Sequence, residues 1–247
     1  MHSNRALIRR IMLYIDLPKT DTVRKLSFFL AMEEYVARYV DAEDCFFMWQ
    51  VEPTVIFGRN QQMEAEVNVD YCRQHHINMV RRKSGGGCVY ADQSNIMLSF
   101  ITSEDNVGFA FNRFINMELL FLRKLGIDAV GTSHNDVMIG DRKVSGTASY
   151  HLPGRSIVHG TLLYDTDMDH MLHAITPGPE KLEAKGIQSV RQRITLLKDH
   201  ISMPIEELKS FIRSTLCDDT RTLSPSDVAG IEQIEESYLR EEFIHLL

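Results

Sequence analysis

What this chain has little of narrows it first. Among its 247 residues there are only four cysteines, Cys45, Cys72, Cys88 and Cys217, and their spacing suits neither a metal knuckle nor a disulfide framework. They read as reduced thiols of a cytoplasmic protein. An excess of positive charge is also missing. The 27 Lys and Arg against 34 Asp and Glu leave a formal charge of -7, which excludes a general nucleic-acid-binding surface. No apolar run approaches the roughly 20 residues that span a membrane. The run Ile11–Ile15 is too short for a secretion signal and meets Asp16. Repeats, low-complexity tracts and Pro/Gly-rich linkers are absent. Hydrophobic content of 44% and charged content of 25% fit a globular chain. Residues 1–247 are read as one large domain.

Hydrophobic spacing predicts the elements. Residues 11–15 read as a strand, and a helix capped by Thr20 or Asp21 runs to about Val40, with Glu33 on its otherwise apolar face. Strands are expected at 45–50 and 54–58, a short helix from Asn68, and strands at 78–82, 89–90 and 95–101. A long helix is expected from Val107 to Leu125, ended by Gly126. Strands follow near 136–139, 143–150 and 156–164, then helices at 167–175, 204–217 and 225–244. Strands and helices are mixed rather than strictly alternating. The fold class is therefore α+β, with a largely antiparallel sheet flanked by helices.

Two stretches carry chemistry. In Arg81-Arg82-Lys83-Ser84-Gly85-Gly86-Gly87, three consecutive glycines sit between strands. Such a loop can be a flexible hairpin, but bare N–H groups beside a guanidinium also suit anionic oxygens. The three basic residues form a local basic pocket. The loop is not a Walker A motif, because no Gly-Lys-Ser/Thr ends it. The second stretch holds Asn135 and Asp136, then Lys143 and the small-residue turn Val144-Ser145-Gly146-Thr147-Ala148. A lone lysine is usually solvated surface. In this setting Lys143 suits a phosphate or an acyl carbonyl oxygen, where negative charge grows during attack. Asp136 could hold Mg²⁺ or take a proton from an amine, and otherwise caps a turn. His159 is either a packed core residue or a pocket residue. His75-His76 reads as a solvated helix end. His170 and His173 could share a helix face, but a third metal ligand is lacking. Together the two stretches suggest an acyl-adenylate or acyl-phosphate site.

At this point the chain resembles a known family. Glu52-Pro53-Thr54-Val55-Ile56-Phe57-Gly58-Arg59-Asn60-Gln61 is similar to the PTVxxGRNQ segment of lipoate–protein ligases. The stretch from Arg81 through Gly87 to Cys88-Val89-Tyr90 resembles their RRxSGGGAVY loop, and Asn135 to Ala148 their NDxxxxxxKVSGxA segment. His159-Gly160-Thr161-Leu162-Leu163 resembles HGTLL, and Lys181 to Ile194 resembles KxxxKGIxSVRxRV.

The resemblance implies the fold shared with biotin ligases and class II synthetases, in the form of a catalytic domain without the C-terminal accessory domain of the large bacterial ligases. It implies two half-reactions. Lipoate and MgATP give lipoyl-adenylate, and a lysine amine of a lipoyl carrier domain then takes the lipoyl group. The implied carriers are the acyltransferase subunits of 2-oxoacid dehydrogenases and the glycine-cleavage H protein, with an accessory protein as a possible further partner. By the same resemblance Arg82, Ser84, Gly85, Gly86, Gly87, Cys88, Val89 and Tyr90 contact the nucleotide. Lys143 acts at the reacting centre with Asp136, the latter also a metal ligand. Asn135, Ala148 and His159 line the pocket. At Ala91-Asp92 the family often has His before the Asp.

Octanoyl and lipoyl transferases of the same fold use a cysteine nucleophile. Here Ser133-His134 and Thr176-Pro177-Gly178 stand where it would be expected, and Cys88 reads as filler. That favours the ligase over a thioester-dependent transferase. Biotin ligases carry a different glycine loop. A non-catalytic lipoate-binding subunit is the third alternative.

Overall fold

The computed structural model describes residues 11–20, 22–133, 135–175 and 193–245. The strands in chain order are β1 (Met12–Asp16), β2 (Asp44–Trp49), β3 (Thr54–Phe57), β4 (Asn78–Arg81), β5 (Val89–Ala91), β6 (Ile96–Thr102), β7 (Ala129–Gly131), β8 (Asp136–Ile139), β9 (Arg142–Leu152), β10 (Arg155–Leu162) and β11 (Asp219–Thr222). The helices are α1 (Leu26–Tyr39), α2 (Met63–Glu66), α3 (Val69–Gln74), α4 (Val107–Lys124), α5 (Met168–Ala174), α6 (Ile205–Leu216), α7 (Pro225–Glu235) and α8 (Glu241–His245).

The main sheet has eight strands in the order β11-β1-β2-β6-β10-β9-β8-β7, and a smaller sheet has the order β4-β3-β5. Pairing is antiparallel except where β1 meets β2 and β11, and where β3 meets β4. This is the expected α+β, largely antiparallel class. Side chains alternate across a strand, so each core strand serves two cores. On β2, Cys45, Phe47 and Trp49 join α1 and α7 in one cluster. Phe46 between them joins Phe100, Phe114 and Leu208 beneath α4 and α6 in the other. The small sheet has its own core with α3 and α5, around Val55, Phe57, Cys72 and Tyr90.

Local signals set several helix starts. Asn68 and Asn106 accept the backbone N–H groups of Tyr71 and Phe109, starting α3 and α4. Ser224 and Asp227 form a reciprocal capping box at α7, with Pro225 in the first turn.

The expected helix from Thr20 begins instead after Lys25, which makes no side-chain cap. The Thr20 hydroxyl is spent on Thr22. The expected helix 225–244 is broken into α7 and α8, because Tyr238 turns inward and its hydroxyl bonds Glu34 at 2.6 Å. Strands β7 and β11 and helix α2 were not expected. They are short, and the β11 sequence Asp-Thr-Arg-Thr carries no apolar alternation.

Candidate active site

A cavity of about 550 Å³ lies where the glycine loop of the small sheet faces strands β9 and β10 of the main sheet. Arg82, Gly86, Gly87, Cys88, Val89, Tyr90, Asn135, Asp136, Lys143, Ala148 and His159 all line it. Ser84 and Gly85 do not. Leu30, Trp49, Ile56 and Met97 form an apolar end that the motif reading did not assign.

Lys143 Nζ pairs with Asp136 Oδ1 at 2.8 Å on the cavity wall. Two local features aim the lysine there. The β8–β9 ladder slips at Val137/Met138, so Val137 faces Ser145 and Met138 faces Lys143, leaving Val144 as the extra residue of a bulge. Val144 and Ser145 can then both turn toward α4, while Lys143 and Gly146 flank them on the cavity side. Gly146 makes room: a Cβ there would lie 2.5 Å from Lys143 Nζ and 2.6 Å from its Cε. Asn135 precedes Asp136 in the left-handed region at φ 63°, a conformation Asn tolerates better than most residues. Its carbonyl accepts the Thr147 N–H at 3.1 Å, which ties the Asn-Asp turn to β9.

The three basic residues of the glycine loop do not form the expected common pocket. Arg81 is buried and donates to the carbonyls of Gly58, Arg59, Gln61 and Ile244. Lys83 is drawn away to Glu34, at 2.5 Å, and lies over the Tyr238 ring. Only Arg82 reaches the cavity. Its guanidinium holds the carbonyls of Ile56, Gly85 and Gly87, fixing the loop so that Gly86 can adopt φ 91°. Burial pulls the Arg82 pKa down to about 10, which leaves it charged at neutral pH.

Behind the loop runs a buried hydrogen-bonded chain. His159 bonds Ser84 Oγ through Nε2 at 2.8 Å and the Glu33 carboxylate through Nδ1 at 2.9 Å. Ser99 Oγ donates to Glu33 at 2.6 Å and accepts from Trp49 Nε1 at 2.9 Å. His159 is thus both a packed residue and a cavity residue, and Ser84 reaches the site only through it. Glu33 and Trp49 were missed as site residues. The available signal was an acid on the apolar face of α1, which requires a buried partner.

Glu118 was missed too. It is fully buried under β9, and one oxygen accepts the Ser145 hydroxyl at 2.8 Å while the other has no partner. Burial raises its pKa to about 8, against smaller opposing effects of Ser145 and Lys143, so it is mostly neutral at pH 7. Burial also pushes the thiols of Cys45, Cys88 and Cys217 up to about 12 and that of Cys72 to about 11. A nucleophilic thiolate at Cys88 is therefore disfavoured. Asp92, after the departing Ala91, accepts the backbone N–H groups of Ser94 and Asp167. His75, His170 and His173 gather around Tyr71, and no metal-holding group of three or more His, Cys, Asp or Glu occurs among the described residues. His134, Thr176-Pro177-Gly178 and the motif residues Lys181 to Arg191 lie outside the described residues. Arg193 is described and exposed.

Comparison with known proteins places the sequence and the fold. The lipoyl protein ligase A/B catalytic domain matches residues 26–216. Lipoate–protein ligase 1 of Staphylococcus aureus is 37% identical over 219 residues, covering 85% of this chain and 67% of that protein. The chain spans 61 to 67% of the length of the first curated relatives it matches. Among solved structures, the bipartite lipoate protein ligase of Thermoplasma acidophilum superposes with a TM-score of 0.84 at 26% identity, covering 96% of this chain and 98% of that one. A lipoate-protein ligase A solved with ATP bound gives 0.81 at 25% identity, covering 96% and 100%. A cavity that joins a braced glycine loop, an Asp-paired lysine and an apolar end thus sits on a shared fold with matching sequence, and the chain belongs to the lipoyl protein ligase A/B catalytic-domain family.

Proposed function

We propose that the chain is a lipoate–protein ligase. It activates lipoate with MgATP and passes the lipoyl group to a lysine of a lipoyl carrier domain. The observation that carries this reading is the Lys143–Asp136 pair, set on one cavity between the glycine loop and the apolar end. The apolar end would take the hydrocarbon tail. The loop N–H groups would take the phosphates, with Arg82 bracing the loop and adding its buried charge. In the first half-reaction the lipoate carboxylate attacks the α-phosphorus of ATP and pyrophosphate leaves. In the second, the carrier's ε-amine attacks the mixed-anhydride carbonyl, AMP leaves, and the amine gives up a proton.

Lys143 would hold the carbonyl or phosphate oxygen where charge builds. Asp136 holds the lysine in place on the cavity wall, and its carboxylate would be the group to accept the amine proton. Mg²⁺ fits a site with one carboxylate plus the nucleotide's own oxygens, which points to Asp136 and the ATP phosphates, and it would neutralise phosphate charge. The free thiols suit a reducing cytoplasm. No helix among the described residues is long and apolar enough to cross a membrane.

The acyltransferase subunits of 2-oxoacid dehydrogenases and the glycine-cleavage H protein are the proposed carriers. The Thermoplasma relative, described as bipartite and with an E2 lipoyl domain, supports both a carrier of that kind and an accessory chain. The test is intact-mass spectrometry of an apo lipoyl domain given this protein. One tube holds lipoate and MgATP, a second holds preformed lipoyl-adenylate. Modification in both is the expected result for a complete ligase. Modification with the adenylate alone would assign this chain the transfer step and the accessory protein the activation step. An unmodified domain in both tubes would sink the ligase reading.

A further inference from the structure

The glycine loop is gripped from outside the cavity by the segment that follows α7. Arg81 and Lys83 flank Arg82, and each meets that segment on one side. Arg81 donates through Nε and Nη2 to the Ile244 carbonyl of α8, at 3.0 and 2.9 Å. Its Nη1 donates to the carbonyls of Gly58, Arg59 and Gln61. That turn is the bed on which the loop lies. The Arg59 N–H donates to the Ser84 carbonyl at 2.9 Å, and a Cβ on Gly58 would collide with the Gly86 carbonyl oxygen.

Lys83 is held at a second point. Its Nζ pairs with Glu34 at 2.5 Å, lies 4.4 Å from the centre of the Tyr238 ring and is 3.4 Å from Ser237 Oγ. Tyr238 is buried and donates to the same Glu34 oxygen at 2.6 Å. Its ring meets Phe243 of α8 edge-on, with centroids 5.6 Å apart. Arg81, Lys83, Glu34 and Tyr238 do not line the cavity, so they reach a bound molecule only through the loop.

The loop needs such support. Three successive glycines carry no side chains to fix their backbone, and ordering them costs more conformational entropy than ordering other residues. Arg82 holds Gly85 and Gly87 from the cavity side alone. A ligand that had to order the rest would bind less tightly.

We propose that the segment 236–245 is a brace that orders the glycine loop in advance for the nucleotide. Arg81, Lys83, Glu34 and Tyr238 are then positioning residues for MgATP and not for the acyl substrate. This rests on the reading of the loop as the phosphate site.

The test is calorimetric titration of MgATP, and separately of lipoate, into the wild type, Glu34→Gln and Arg81→Lys. Glu34→Gln decides by sign. It removes a negative charge and frees Lys83, so charge alone would tighten nucleotide binding, whereas loss of the brace weakens it. Arg81→Lys keeps the positive charge but lacks the planar fork that spans Ile244 and the 58–61 turn. Both variants should bind MgATP about five- to tenfold more weakly, with lipoate affinity within about twofold of wild type. Ser224→Ala is the stability control. It weakens the start of α7 without touching the loop, and should lower the urea midpoint while leaving both affinities in place. MgATP binding as tight as wild type, or tighter, in either folded variant would overturn the proposal. So would a matching loss of lipoate affinity, because general loosening would then explain the effect. Failure of MgATP to bind the wild type would strike the phosphate-site reading itself, before any variant is compared.

Discussion

At the scale of single residues, the Lys143–Asp136 pair separates catalysis from stability. Both side chains are partly exposed, and exposed ion pairs contribute at most about 1 kcal/mol. Lys143→Ala should therefore unfold near the wild-type urea midpoint, yet transfer the acyl group about 100- to 1000-fold more slowly. Wild-type rates in mass-spectrometric time courses would rule out Lys143 at the reacting centre. Gly146→Ala tests the same geometry without touching the charge. Its methyl would lie 2.5 Å from Lys143 Nζ, closer than contact allows, so transfer should fall about tenfold or more as the lysine is displaced. Glu118 gives a pH prediction. Its folded pKa of about 8 lies above the ordinary 4.5, so between those values the native state holds a proton that the unfolded chain has lost. Its contribution is complete below about 4.5 and is lost as pH rises to about 8, at about 1.4 kcal/mol per unit. Glu118→Gln should flatten that slope. Urea titrations at about pH 6 and pH 8 that show the same slope in both proteins would mean that Glu118 does not hold its proton.

At the scale of elements, the helix starts were the most legible part of the sequence. Asn68 caps the helix expected to start from it, and Asn106 and Ser224 cap helices that begin where they were expected, at Val107 and Pro225, because capping is settled within four residues. Ser224→Ala should cost about 1 kcal/mol by chemical denaturation, since it removes half of a reciprocal box. A variant as stable as the wild type would show that tertiary packing alone holds α7. The start of α1 and the break between α7 and α8 were not legible, because they depend on distant partners. Glu34 receives Tyr238, Lys83 and Arg38, and that cluster turns the chain after Glu235. The bulge in β9 was equally hidden. The sequence Lys-Val-Ser-Gly is compatible with an unbroken strand, and only pairing with β8 and packing on α4 displace Val144.

At the scale of the whole molecule, Arg81 joins the small sheet to the end of the chain. Its guanidinium satisfies carbonyls in the 58–61 turn and in α8 at once. Arg81→Leu would leave several of these without a donor, at about 1–3 kcal/mol for each that stays dry. A loss of about 3 kcal/mol or more is expected by urea denaturation. A loss below about 1 kcal/mol would mean that water replaces the guanidinium at no great cost.

By itself the sequence determined the class of the fold, the glycine loop, the Asn-Asp turn and Lys143 as a candidate for the reacting centre, and left His159 open between core and pocket. These are local matters of spacing, turn chemistry and residue type, and together they carried the family resemblance. Only the tertiary structure decided what each charge does. Arg81, Arg82 and Lys83 are consecutive, yet one clamps the chain end, one braces the loop and one pairs with α1. Burial fixed the rest. Glu33, Ser99 and Trp49 are far apart in the chain and became one network, and Glu118 became a neutral acid, because the packed sheets exclude water from their polar groups.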